Sequence, residues 1–402
     1  MNEQTDEVIR QDETPEPFPS ELLAQPVGTR QEYFEQRCLI SHPRLQEALE
    51  AIIQAICPPG EGASMRRPGT MVLVIGPSRV GKTTLIRLLE EQLLTRSRAL
   101  MASDSSFIPF ASITTAGSDT SRFDWSEYYR AVLRALHDPF VDGKVARIRT
   151  RELREAMETA LCERKPLAII ADEAHHLAEA PKMSRLQSQL NHLKHFENAT
   201  GVSHILVGTY EMRPFRKVNA QLACRSVDVH FSRYDAAIDQ DAQAFRSVVW
   251  ALQRQLPIEK EPSLVEHWEF LYARSIGCIG LLKMHLNRAL NQALAEKAKT
   301  VTLTHLRKTA LSEARVELAL RNALESEAEL TETEGADERL LTLLGLRGGW
   351  ASQSPQTQVE NQGASPKNQG RPGTRAPGRD AIGVKTDEDA LVPLADEEQA
   401  AG

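Results

Sequence analysis

Three pieces in fixed order constrain this chain more than anything else in it. They are an apolar stretch from Met71 to Ile75, the eight residues Gly76-Pro-Ser-Arg-Val-Gly81-Lys82-Thr83, and a helical pattern from Thr84 to Leu94. Five apolar residues bounded by turn signals read as a buried strand, and a strand feeding a glycine-bearing turn and then a helix opens a βαβ unit. The two glycines let main-chain N–H groups turn inward around an anion at the helix start. Lys82 then reaches the β and γ phosphates of ATP, and the Thr83 hydroxyl is free to ligate Mg²⁺. This is the spacing of a P-loop, with Gly76, Pro77, Ser78, Arg79, Val80, Gly81, Lys82, Thr83 and Thr84 as its nucleotide-binding residues.

Four more apolar runs follow at intervals filled by helical patterns: Phe107 to Ile113, Leu167 to Ala171, His204 to Val207 and Val227 to Phe231. Alternation of strand and helix predicts an α/β fold, a parallel five-stranded sheet with helices on both faces. Ahead of the first strand, His42 to Ile56 reads as an amphipathic helix with Leu45, Ala48, Leu49, Ile52 and Ile56 on one face and Cys57-Pro-Pro-Gly60 as its stop. After Phe231 the pattern is helical only, at about 240–255, 262–275, 279–297 and 303–323, which predicts a small α-helical lid domain. The expected division is a disordered acidic lead at 1–28, an α/β core at 29–235, a lid at 236–324 and a largely disordered tail at 325–402. Within that tail Ala390-Leu-Val-Pro-Leu394 lies between acidic clusters, so 387–398 reads either as a docking peptide or as solvated tail.

The formal net charge of −7 conceals the part that folds, because residues 1–28 carry −6 and residues 325–402 carry −8, leaving about +7 on residues 29–324. A basic body of that kind can bind phosphate backbones, or the acidic ends can simply keep it in solution. The acidic amino terminus is unlike a secretory signal and no run of about 18 apolar residues occurs, so the expected home is the bacterial cytoplasm. Five cysteines without CxxC spacing suit reduced thiols, with neither a disulfide nor a zinc site expected.

Leu167-Ala-Ile-Ile-Ala-Asp172-Glu173 is a buried strand ending in two carboxylates. Asp172 is placed to hold the Mg²⁺ shell, and Glu173 to act as general base on a water in line with the γ-phosphate. The letters Asp172-Glu-Ala-His175 also spell a helicase box, but a second strand-bearing half is not present in the sequence after residue 231. His175, His176, His192 and His195 find no third ligand at matching spacing and read as surface or supporting histidines. The strand ending in Gly208-Thr209 brings a hydroxyl between the P-loop and Glu173, the task called sensor 1. Arg225, just before the fifth strand, reads either as an arginine finger supplied in trans to a neighbouring subunit or as a helix-ending residue.

These pieces together look like an AAA+ ATPase. More narrowly, the chain resembles the TniB/TnsC family of transposition regulators over about residues 36–322. The points of contact are Ile75 to Thr84, Ile169-Ile-Ala-Asp-Glu-Ala-His-His-Leu177, Leu190-Asn-His-Leu-Lys-His-Phe196, Leu206-Val-Gly-Thr209, Gln221 to Arg225 and Gly277-Cys-Ile-Gly280. The resemblance implies a head-to-tail homo-oligomer, ring or filament, on double-stranded DNA, with ATP held between Lys82 of one subunit and Arg225 of the next. It also implies partners: a transposase, and a target-selection protein or CRISPR effector complex. It places Arg122, Lys144 and Arg147 at the DNA backbone, beside Arg149 and Arg151, a basic run that reads otherwise as a solvated helix face. Where the family often has a sensor 2 arginine after Gly280, this chain has Leu281 and then Lys283, so either Lys283 substitutes from a different turn or the lid senses ATP weakly, and slow hydrolysis is expected. The competing readings are an initiator or helicase loader, a secretion-type ATPase and a signalling NTPase switch.

Overall fold

Five strands form a wholly parallel sheet in the order β2-β3-β4-β1-β5: β1 Met71–Ile75, β2 Phe110–Thr114, β3 Ala168–Asp172, β4 Ser203–Gly208 and β5 Ser226–His230. The computed structural model describes residues 17–57, 69–117, 123–139, 148–178, 183–217, 226–330 and 336–346. It divides into two compact units, residues 1–333 and 334–402, and the described helix of the second is Ala336–Leu343.

The described helices of the first unit before β5 are α1 Val27–Glu32, α2 Pro43–Ile56, α3 Lys82–Ser103, α4 Trp125–Ala135, α5 Thr150–Arg164 and α6 Met183–Thr200. After β5 come α7 Asp239–Arg254, α8 Trp268–Ser275, α9 Ile279–Ala295, α10 Leu303–Thr309 and α11 Glu313–Leu330. Alternation along the strands builds two cores, because successive side chains point to opposite faces. Met71, Leu73, Ile75, Ile169, Ala171 and Leu206 face α4, α5 and α6, where Tyr129, Leu133, Leu161 and Phe196 are buried. Val72, Val74, Ile170, Ile205 and Val207 face α2 and α3, where Ile52, Leu85 and Leu89 are buried. Both faces are covered, which is why the inner strands β1, β3 and β4 are almost wholly buried, while the edge strands β2 and β5 alternate or carry polar residues.

α2 starts where the sequence predicts, and its cap is His42, whose Nδ1 accepts from the Leu45 N–H at 3.3 Å. Pro43 at the first helical position needs no partner for a missing donor. Phe107 to Ile113 is displaced: β2 begins at Phe110, because Pro109 has no N–H to give to the ladder. The 303–323 helix is two helices, since Ala310 is extended (ψ 149°) and α11 restarts after Ser312 and runs on to Leu330, beyond the expected start of the tail.

A third core lies among the helices after β5, built from Phe245, Leu252, Leu271, Leu286 and Leu290. Phe34, Cys38 and Ile40 belong to this core and not to the sheet, so the segment before α2 straps onto the helical region. Arg30 donates to the Pro257 carbonyl and Phe18 N–H to that of Arg254, so shaped chain begins before Arg30, with a 3₁₀ turn at Ser20–Ala24. Burial, the main cause, pushes the Cys38 thiol up to about 12, so it stays protonated. Among the described residues no helix is long and apolar enough to cross a membrane.

Candidate nucleotide site

The parallel register brings the carboxyl ends of β1, β4 and β3 to one edge, with Ile75 beside Gly208 and Ala171 beside Leu206. Ligands of open parallel sheets sit outside this edge. Gly76 leaves β1 under the Phe231 carbonyl, so any side chain there would collide with that oxygen. Gly81 has φ +124°, open only to glycine at low cost, and Arg79 adopts a left-handed φ of +63°. α3 then starts at Lys82 with no side chain capping its first turn, which leaves its N–H groups facing the loop. An uncapped helix start of this kind is a site for an anion.

Lys82 is 8% exposed, and its ammonium donates to the carbonyls of Gly76 at 3.2 Å and Pro77 at 2.8 Å. Burial lowers its pKa while Glu173 and Asp172 nearby raise it. Asp172 shows the mirror effect: burial, first, pushes its carboxyl up, while the Glu173 N–H bonded to it at 2.8 Å and the Lys82 charge oppose. Glu173 stands at a left-handed φ of +53°, with Oε2 3.1 Å from His175 Nδ1. Thr115, which follows β2, brings its hydroxyl to the carbonyl oxygens of Asp172 (2.9 Å) and Glu173 (2.6 Å), fixing the turn that carries both acids.

Thr209 follows β4, the strand between β3 and β1. Its hydroxyl oxygen is buried without a hydrogen-bond partner among the described residues. Such an atom costs about 1–3 kcal/mol unless something meets it. A partly desolvated Lys–Asp pair, open helix N–H groups and an orphaned hydroxyl on one edge fit a magnesium nucleoside triphosphate. Thr83, exposed at the loop, and Asp172 would hold the cation.

Gly277 and Gly280 set the helical region against this edge. Side chains there would collide with the carbonyl oxygens of Tyr234 and Arg79, so the first turn of α9 lies directly on the P-loop. Lys283 differs from its expected task. Its ammonium donates to the main-chain carbonyls of Glu35 (3.0 Å) and Cys38 (2.6 Å), holding the N-terminal strap to α9 instead of pointing to the phosphate loop. Arg225, Arg122, Lys144 and Arg147, like the 387–398 peptide, lie outside the described residues.

Sequence reasoning missed Phe231, Thr115 and Arg233. Phe231 backs both P-loop glycines and stacks on His42 at 6.3 Å between ring centroids. Nothing local marks a strand-end phenylalanine as part of a phosphate loop. A threonine just past β2, one strand from the Asp-Glu pair, was the available signal for Thr115.

Residues 65–215 match the family model described as an AAA domain. No curated protein matches the chain. Among solved structures it is similar to the Aeropyrum pernix ORC2 protein in its ADPNP-ADP complexes, at 14% identity over 71% of each chain and a TM-score of 0.49. It is also similar to Cdc6p from Pyrobaculum aerophilum, at 16% identity over 67% of each chain and a TM-score of 0.46. Drosophila ORC bound to DNA matches at 12% identity over 86% of this chain and 87% of that one, with a TM-score of 0.42. The match over residues 65–215 and the parallel five-stranded sheet agree on an AAA+ P-loop fold, which implies a nucleotide-binding site at the edge described above.

Proposed function

We propose that this protein is an ATP-dependent, DNA-assembling regulator of transposition that links a target-selection protein or complex to a transposase. The observation that carries the nucleotide part is the convergence of Lys82, Asp172, Glu173 and the unpartnered Thr209 hydroxyl at one sheet edge. Support for transposition comes from the sequence fragments shared with the TniB/TnsC family. The most specific of these, Ile75 to Thr84 and Leu190 to Phe196, have different physical roles. The first is the phosphate loop. The second lies in α6, where Phe196 is buried and His192 meets the Tyr129 hydroxyl, so it supports the core that carries β3 and β4.

In this reading Lys82 gives up its loop carbonyls for phosphate oxygens, and α3 turns its open N–H groups to the same charge. A bound magnesium ion would supply charge neutralisation at the phosphates. Glu173 takes the proton of the attacking water, and Thr209 orients that water or the terminal phosphate. Arg225 serves the nucleotide of the next subunit, which makes the bound triphosphate part of a heterologous interface and allows a ring or an open filament. Arg122, Lys144 and Arg147 meet the duplex backbone without reading bases.

The test is insertion by a transposase in a purified reaction, with and without this protein and ATP. The expected result is stimulation that needs ATP and is lost in Lys82→Ala. Assembly on duplex DNA with no effect on insertion would contradict the transposition role and leave a DNA-loading ATPase of initiator type.

A further inference from the structure

The residue after Thr209 leads away from the nucleotide edge through a continuous chain of polar contacts. Tyr210 is buried, and its hydroxyl donates to Glu327 of α11 at 3.1 Å; the same oxygen lies 3.1 Å from His230 Nε2. The other oxygen of Glu327 accepts from Arg233 Nε at 3.2 Å and pairs with its Nη2 at 3.1 Å. The Arg233 side chain is 6% exposed. Its remaining nitrogen points to the carbonyls of Tyr234 and Ile276 and to the Tyr272 hydroxyl, at 3.4 to 3.5 Å. Tyr234 and Ile276 flank the junction where Gly277 is pressed against the Tyr234 carbonyl. The path therefore runs from the nucleotide edge to the junction between β5 and the helical region, with α11 as the member in the middle.

Two further features make the path mechanical. Gly208 lies close against Met212 and the His175 N–H, where a side chain would collide, so the exit of β4 that carries Thr209 and Tyr210 is tightly packed. Second, the same 3₁₀ segment, Tyr210–Lys217, is tied to α11 again through Glu329, which pairs with Arg213 at 3.1 Å and Lys217 at 3.4 Å. A buried arginine whose carboxylate is displaced loses its compensation, so the arrangement favours discrete states over gradual deformation.

We propose that Tyr210 and Glu327 are positioning residues that couple occupancy at Thr209 to the placement of α11 and the helical region. The inference rests on the nucleotide reading of the site. When the Thr209 hydroxyl gains its partner, Tyr210 is held in place, Glu327 is fixed on Arg233, and α11 is clamped. Without that partner the clamp is looser, and nucleotide state is reported at a helix that touches no nucleotide.

Amide hydrogen exchange on the full chain, with and without a non-hydrolysable ATP analogue and Mg²⁺, tests this. In the parent protein the analogue should slow exchange in 76–84 and also in α11, the latter by about five- to tenfold. Tyr210→Phe removes one hydroxyl, and should keep analogue affinity within about twofold and protection at 76–84 while losing the α11 response. Glu327→Gln should behave likewise, and Tyr210→Phe alone suffices if the glutamine variant does not fold. A purely structural role would shift α11 exchange equally with and without nucleotide. Unchanged α11 exchange in a parent that protects 76–84, or a full α11 response in Tyr210→Phe, overturns the coupling. Absence of any protection at 76–84 in the parent overturns the nucleotide reading and the coupling with it.

Discussion

At the scale of single residues, the site is a set of charges held partly out of water. Lys82 has its ammonium on two loop carbonyls, with burial lowering its pKa, and Asp172 has its carboxyl pushed up by the same burial. Lys82→Ala removes a buried cation from the P-loop. It should weaken ATP-analogue binding by about 10- to 100-fold, measured by calorimetry. Binding at parental affinity would remove Lys82 from the site. Glu173 is not needed to hold phosphate, so Glu173→Gln should bind ATP at near-parental affinity and release phosphate about 10²- to 10⁴-fold more slowly. Parental phosphate release would exclude it as the base. Lysine and the two acids were legible because their chemistry is written into short spacings around a strand end. Phe231, Thr115 and Arg233 were not, because their parts depend on nonlocal neighbours: β5 beside β1 for Phe231, β2 beside β3 for Thr115, and α11 through Glu327 for Arg233.

At the scale of elements, the glycines of the Gly277-Cys-Ile-Gly280 run matter through contact and not through flexibility alone. Gly280→Val would drive a branched side chain into the Arg79 carbonyl and lift α9 from the P-loop. The expected outcome is weaker nucleotide binding with the sheet intact, since the collision is at the edge and not in the core. Unchanged nucleotide affinity would mean that α9 does not bear on the site. The helical region has its own apolar core, so Phe245→Ala, at a fully buried position, should cost about 3–5 kcal/mol in denaturant unfolding. Strands β1, β3 and β4 could be read within a few residues, since burial on both faces leaves near-continuous apolar runs, and β5 and helix α2 by their apolar spacing. The N-terminal strap could not. Phe34 and Ile40 stand in sequence beside a helix of the α/β core, and only tertiary packing assigns them to the helices after β5. The split between α10 and α11 escaped for a related reason: the residues around Ala310 and Ser312 carry no proline or glycine to mark the break.

At the scale of the whole molecule, a helical region rests on the nucleotide edge, and the sequence from 29 to 324 is basic between acidic ends. If Arg122 and Lys144 neutralise phosphates, changing both to Ala should lower duplex affinity by a similar factor on unrelated sequences. It should also reduce the slope of log K against log salt by about 2. A parental slope would remove both from the DNA interface. The central claim is that bound triphosphate joins adjoining copies around a duplex. Electron microscopy of the purified full chain with duplex DNA and a non-hydrolysable ATP analogue addresses it most directly. Rings or filaments on DNA that require the analogue are the predicted result, and particles that remain single with both ligands saturating would contradict it.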